Sequence, residues 1–250
     1  MTHASPRHSE YVGFPFPSDL DLAAFEAAGR QAALLADPND VARLEKKTAF
    51  SGFASGWHGV IVRYRAASEA HAEFISTFAQ ISPTFEIMYK RERNLFECVC
   101  ALLSSFECVY YAAYCVSTEV LGSPLLIQKA SDLRVYAPNV VRAFRNWIPN
   151  AEITNSLARF CEASEYTRLK DLRNFVSHKG IPPQLVRAST LMQPPQYRQI
   201  PNNLQDLAAD YSFGVEVAPD MFDTYFAWAR GAINECALQL GKYLEVQAAK

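Results

Sequence analysis

Residues 82–122 read SPTFEIMYKRERNLFECVCALLSSFECVYYAAYCVSTEVLG, forty-one positions with Pro83 near the start, Gly122 at the end and neither residue type between. Ser82 is a helix-capping residue and Pro83 suits the first helical position, where its missing N–H removes no hydrogen bond. From there to Gly122 the spacing predicts one helix over about 83–121, roughly 39 residues and close to 60 Å at 1.5 Å per residue. Met88, Leu95, Val99, Leu102, Phe106, Val109, Ala113, Val116 and Val120 form its apolar stripe. A rod of that length forms the spine of a bundle or part of a dimer seam.

The same logic extends outward. Proline breaks a helix interior by removing a hydrogen bond and clashing with the preceding turn. All 14 prolines lie outside 39–82, 84–123, 150–181, 220–250 and the shorter 139–148, and there are only 10 glycines. Those stretches therefore read as helices, and the fold as all-α. Ser18 is expected to cap a first helix running towards Pro38. A short second helix spans about 39–47, and a third runs from Trp57 to Ala79 with Val60, Tyr64, Ala67, His71, Phe74 and Phe78 on one face. Ser51 to Ser55 reads as a loop between them. Asn139 to Trp147 is a short helix, and Glu152 to Lys179 makes one or two, with a break near Ala163-Ser164. The last helix, from Asp220 to Gln247, carries Phe222, Phe226, Ala229, Ile233, Cys236, Leu240 and Leu244. Residues 181–219 hold six prolines and form an irregular excursion, with Ser189–Met192 and Phe213–Val217 as short strand candidates. Residues 1–17 read as a loosely docked arm. The expected organisation is an N-terminal arm and helical extension, 1–81, packed on a helical domain, 82–250.

Half of the 250 residues are hydrophobic, enough for a real core, and 24 basic against 26 acidic side chains leave a net charge of −2. That balance excludes a non-specific nucleic-acid coat, which needs clustered Lys and Arg, but leaves room for a local basic site. No secretory signal is expected, because 1–21 lacks an apolar run. Nor is a membrane span, because Glu97, Glu107, Glu119, Ser104 and Ser105 interrupt the most apolar region. Cys98, Cys100, Cys108, Cys115, Cys161 and Cys236 show no zinc-ligand spacing and read as reduced, buried small hydrophobes of a cytoplasmic protein.

The chemistry-bearing segment is Asp171-Leu-Arg-Asn-Phe-Val-Ser-His178-Lys-Gly180. It puts Arg173, Asn174 and His178 at a helix end, just before Gly180 and Pro182-Pro183. Asn174 and His178 are four apart and share a helix face, whereas Arg173 and His178 are about 140° apart around the axis. Arginine suits phosphate because its fork is planar and permanently charged, and histidine suits proton transfer because it titrates near working pH. Asn174 would orient the imidazole or bind the phosphate, while Arg168 and Lys179 would hold flanking phosphates. This chemistry calls for no metal and no cofactor. A second Arg/His pair, Arg65 and His71, lies mid-helix with His71 on the apolar face, and His71 reads as a core or interface residue.

Arg173, Asn174 and His178 resemble the signature of the HEPN superfamily: arginine, a polar residue, then histidine after four to six positions on a helical bundle. The resemblance covers about 82–250 in architecture and ten residues in motif. It implies a homodimer with a composite active site and metal-independent endoribonuclease activity. It also implies a role as toxin or defence effector, with an antitoxin or nucleotidyltransferase-like partner. The chain departs from the pattern in having Lys179-Gly180-Ile181 where an aromatic residue often follows the histidine, and in its N-terminal 80 residues. A non-catalytic module binding a nucleotide or protein is the alternative, and a scaffold dimerising through the 83–121 rod is a third. The plainest reading of the motif is a helix end, with Arg173 paired to Glu165 or Asp171 and His178 favouring the negative end of the helix dipole.

Other segments carry less. Ser104-Ser105 and Trp57-His58 lack a nucleophile elbow, and Glu86, Glu97 and Glu107 lack di-metal spacing. Lys90-Arg-Glu-Arg93 reads as a solvated helix face, with an RNA-contacting strip as the sharper option.

Overall fold

A computed structural model describes residues 16–36, 44–78, 84–120, 135–178 and 221–249. Seven α-helices and no strand occur among them: α1 Leu22–Leu35, α2 Leu44–Phe78, α3 Phe85–Cys115, α4 Ala137–Trp147, α5 Glu152–Cys161, α6 Ser164–His178 and α7 Met221–Ala248. The chain is an all-α helical bundle. The strand candidates and the excursion at 181–219 lie outside the described residues, as do 1–15 of the N-terminal arm.

Two compact units form. One draws on Met1–Tyr64, Ser104–Ala163 and Ala229–Lys250, the other on Arg65–Leu103 and Ser164–Trp228. Both take residues from either side of position 81.

In the first unit, α1 is capped by Asp21, whose side chain accepts the Ala24 N–H at 3.1 Å. Capping therefore falls at Asp21 and not Ser18, because the Asp21 carboxylate satisfies an otherwise orphan first-turn donor. The α1 core face is Ala24, Phe25, Ala28 and Ala32. Phe25 meets Trp57 of α2 at 4.5 Å between ring centroids, and the Trp57 indole donates to the Phe25 carbonyl at 3.2 Å. Asp21 N–H donates to the Asn234 side chain at 2.8 Å and Tyr64 donates to Asp19 at 2.6 Å, which ties the turn before α1 to α7 and α2. Pro138 lies in the first turn of α4, whose buried Ala137, Val140, Val141 and Phe144 follow helical spacing. Tyr110 of α3 donates to the Leu157 carbonyl of α5 at 2.8 Å, and Arg145 of α4 donates to Glu162 in two bonds of 2.6 and 3.0 Å.

Helix α2 corrects the expectation of a short helix, a loop at Ser51 to Ser55 and a third helix: the described part of that stretch is one 35-residue helix. Glycines argue locally against helix, but at Gly56 α2 approaches α3 closely. A Cβ there would lie 2.9 Å from Tyr111 Cδ1 and 3.1 Å from the Ala112 backbone nitrogen. Packing gained along the helix outweighs the roughly 1 kcal/mol that each helical glycine costs.

Helix α3 continues as a π-helical turn, Val116–Val120. Leu95, Val99, Leu102, Phe106, Val109, Ala113 and Val116 of its stripe are buried, whereas Met88 is exposed. Phe85–Thr118 is long and apolar enough to cross a membrane, but 67% of its most apolar window is buried inside the fold. That apolarity serves the protein core. Of the six free cysteines, Cys98, Cys108, Cys115 and Cys236 are buried, and Cys100 and Cys161 are intermediate.

In the second unit, Phe74 of α2 packs edge-on against Phe222 of α7 at 5.7 Å. His71 stacks on Phe226 at 5.0 Å, so it is an aromatic-cluster histidine, as its place on the apolar face suggested. The α6 stripe of Tyr166, Leu169, Leu172 and Val176 is buried, and Tyr166 meets Trp228 at 6.4 Å.

Candidate functional site

The burial of that stripe determines what α6 can offer to a ligand. With Tyr166, Leu169, Leu172 and Val176 turned inward, the opposite face carries Thr167 and Asn174, both exposed, with Asp171 half-buried. His178, the last described residue of α6, occupies the register position one turn after Asn174. The predicted break in the 152–179 stretch is real and falls at Glu162 and Ala163, so α6 starts afresh at Ser164.

Arg173 sits beside the buried stripe and is half-buried. Its Nε is buried with no hydrogen-bond partner among the described residues. The ion pair with Glu165 or Asp171 does not form among those residues, and Glu165 instead accepts from the Ser164 hydroxyl at 3.1 Å. A buried guanidinium nitrogen without a partner is costly, and a phosphate oxygen is an acceptor suited to it.

Arg168 is exposed on the far edge of the stripe. It lies close enough to Tyr225 of α7 to act on its phenol: burial pushes the Tyr225 pKa up, the Arg168 charge draws it down and Glu165 raises it. Arg168 is thus placed nearer the start of α6 than its end, ten residues from His178. Lys179 lies outside the described residues. Of the five predicted site residues, α6 brings Arg173, Asn174 and His178 into its last turn and a half and carries Arg168 separately.

One neighbour of the motif, and the burial of one arginine of the basic cluster, had no sequence signal. Cys100 of α3 and Ser177 of α6 approach to 3.7 Å between Sγ and Oγ, which sets the motif end of α6 against α3. Arg91, taken from sequence as part of a solvated basic face, is 2% exposed and turned inward on Thr77. Lys90 and Arg93 remain outside, each paired one turn along α3, with Glu86 at 3.5 Å and Glu97 at 3.6 Å. The cluster is thereby largely neutralised. Among the described residues no group of three or more His, Cys, Asp or Glu is placed to hold a metal ion.

Comparison of the chain with family models, with curated proteins and with solved structures finds no match.

Proposed function

We propose that this protein is a HEPN-like, metal-independent endoribonuclease that cleaves RNA at a composite site in a homodimer. The observation that carries the reading is the last described stretch of α6: it runs through His178, with Asn174 one turn earlier and, on the neighbouring face, Arg173 bearing a buried Nε without a hydrogen-bond partner among the described residues. In the reaction, the His178 imidazole takes the proton of a ribose 2′-hydroxyl and the freed oxygen attacks the adjacent phosphorus. The bond to the 5′-oxygen breaks, and the partner's His178, in its imidazolium form, protonates that leaving oxygen. A 2′,3′-cyclic phosphate and a 5′-hydroxyl result. Arg173 neutralises charge on the phosphorane, Asn174 orients the imidazole or the phosphate, and Arg168 and Lys179 hold flanking phosphates. A cytoplasmic toxin or defence effector held in check by an antitoxin or nucleotidyltransferase-like partner fits this activity.

The purified full chain should cut single-stranded RNA in EDTA and leave cyclic-phosphate ends. His178→Ala should lower the rate about 10²–10⁴-fold with unchanged helicity and mass. Intact RNA, or a variant as fast as wild type, would sink the reading.

One observation favours a second reading, a non-catalytic module that binds a nucleotide or protein. Since α6 is helical through His178, Arg173 and His178 stay about 140° apart on one chain. In that case RNA would survive, and a nucleotide would raise the melting temperature.

A further inference from the structure

The stretch of α3 from Phe85 to Phe96 carries an exposed apolar face. Phe85, Met88, Tyr89 and Phe96 are 86, 44, 55 and 41% exposed, and they are four of the ten exposed large apolar side chains among the described residues. The other six are scattered over α1, α2, α7 and Tyr136, so only here do such residues gather. At about 100° per residue, the four fall within one sector of the helix. A gathered patch of this kind marks a contact surface, whereas isolated exposed apolar residues are ordinary.

The charges around the patch identify what fits it. Glu92, half-buried, lies in the middle of the apolar sector, and no ion pair engages it among the described residues. Glu86, Lys90, Arg93 and Glu97 all line the same flank, in the order acid, base, base, acid. The flank carries no net charge, which disfavours a polyanion or a strongly basic partner.

We propose that this face docks on the same face of a second copy, with the two α3 helices antiparallel about a two-fold axis passing between Glu92 and Arg93. Antiparallel pairing about such an axis puts the charged flanks of both copies on the same side of the seam. Tyr89 then lies over the partner's Phe96, and Phe96 over the partner's Tyr89. Glu92 faces the partner's Arg93 and is faced in return, which supplies the cation that its half-buried carboxylate lacks. Lys90 comes within side-chain reach of the partner's Glu97. Apolar and ionic matches agree on this one register. Moving the axis by one residue towards the N-terminus sets Lys90 against the partner's Arg93 and Glu86 against the partner's Glu97. A parallel arrangement sets Glu92 beside the partner's Glu92. Like charges in such positions select against both alternatives.

This contact is independent of the ribonuclease reading. The two Cys100 positions, each beside its own Ser177, stand about 22 Å apart along the seam at 1.5 Å per residue. A composite RNA site therefore needs a separate contact on the α6 face.

Sedimentation equilibrium of the full chain without RNA tests the proposal. Wild type should dimerise reversibly between about 1 and 100 µM. Tyr89→Glu combined with Phe96→Glu should weaken the dimer by about 100-fold or more while helicity and melting temperature of the monomer stay unchanged. Glu92→Arg alone and Arg93→Glu alone should each be monomeric, and an equimolar mixture of the two should recover a heterodimer. A wild-type chain that stays monomeric overturns the proposal, as does a dimer indifferent to these changes or a mixture that fails to associate. A monomer that loses thermal stability with Tyr89→Glu also overturns it, since its own residues then cover the patch.

Discussion

Arg91 of α3 donates its Nη2–H to the backbone carbonyl of Thr77 at 2.6 Å and its Nε–H to the Thr77 hydroxyl at 3.2 Å. Thr77 is one residue from the end of α2, where the last carbonyls have no helical partner and the helix dipole is negative. A permanently charged fork fits that end in both respects. Burial lowers the Arg91 pKa from its usual value, and the helix end with its two acceptors offsets the desolvation.

Removing that side chain leaves a buried carbonyl and hydroxyl short of donors. Arg91→Met is expected to cost about 2–4 kcal/mol, and Thr77→Val, which keeps the carbonyl, about 1 kcal/mol. Denaturant titration of each variant measures both. Equal losses would show that the hydroxyl, and not the helix end, holds the guanidinium.

Two helical glycines should respond to alanine in opposite directions. At Gly56 a Cβ would press on the Tyr111 ring and the Ala112 backbone, and at Gly231 it would meet nothing within 4 Å. Gly56→Ala is therefore expected to destabilise by about 1–3 kcal/mol despite the better helix propensity of alanine. Gly231→Ala should stabilise by up to about 1 kcal/mol. Thermal unfolding of the pair tests the close approach of α2 to α3 directly.

Stability should fall on the alkaline side. Burial raises the pKa of the Cys98 and Cys236 thiols and of the Tyr64, Tyr225 and Tyr243 phenols. These acids stay protonated in the folded chain at pH values where the unfolded chain releases its protons. The unfolded state then binds fewer protons, so the slope of stability against pH is negative. Their contribution is complete below the unfolded thiol pKa of about 8.5 and declines above it, more steeply past the phenol value of about 10. Urea midpoints measured between pH 7 and 10.5 should drop accordingly, and Cys98→Ala combined with Cys236→Ala should flatten the first part of that decline.

If the chain cuts RNA, Arg168 and His178 should separate kinetically. Arg168→Ala should raise KM several-fold with little change in kcat, because a flanking phosphate contact acts equally on ground and transition states. His178→Ala should lower kcat. Steady-state rates on a fluorogenic oligoribonucleotide resolve the two, and an Arg168→Ala enzyme impaired mainly in kcat would place that residue at the reacting phosphate instead.

Much of the bundle was legible because periodicity is a local property. The stripes on α3 and α7 that spacing assigns to the core are buried, apart from exposed Met88 and half-buried Phe226, with the Val120 side chain outside the described residues. Prolines bracketed the helices for an equally local reason. The misreadings sit where distant contacts override local preference. Ser51 to Ser55 read as a loop within what is one helix, since no window of sequence reveals that α3 fits against the missing Cβ at Gly56. Lys90 to Arg93 looked uniformly solvated, because nothing nearby in sequence reports that Thr77 waits for Arg91.

The order of residues by itself determined that this chain is helical, where most helices stop, and that Arg173, Asn174 and His178 share one helix end. Hydrogen bonding and the 3.6-residue turn act over a few positions and need no knowledge of the rest. Tertiary structure alone decided which guanidinium is buried on a helix end, which has a nitrogen without a partner among the described residues, and which apolar side chains of α3 remain outside. Those outcomes depend on which faces meet, and burial is set by neighbours far apart along the chain.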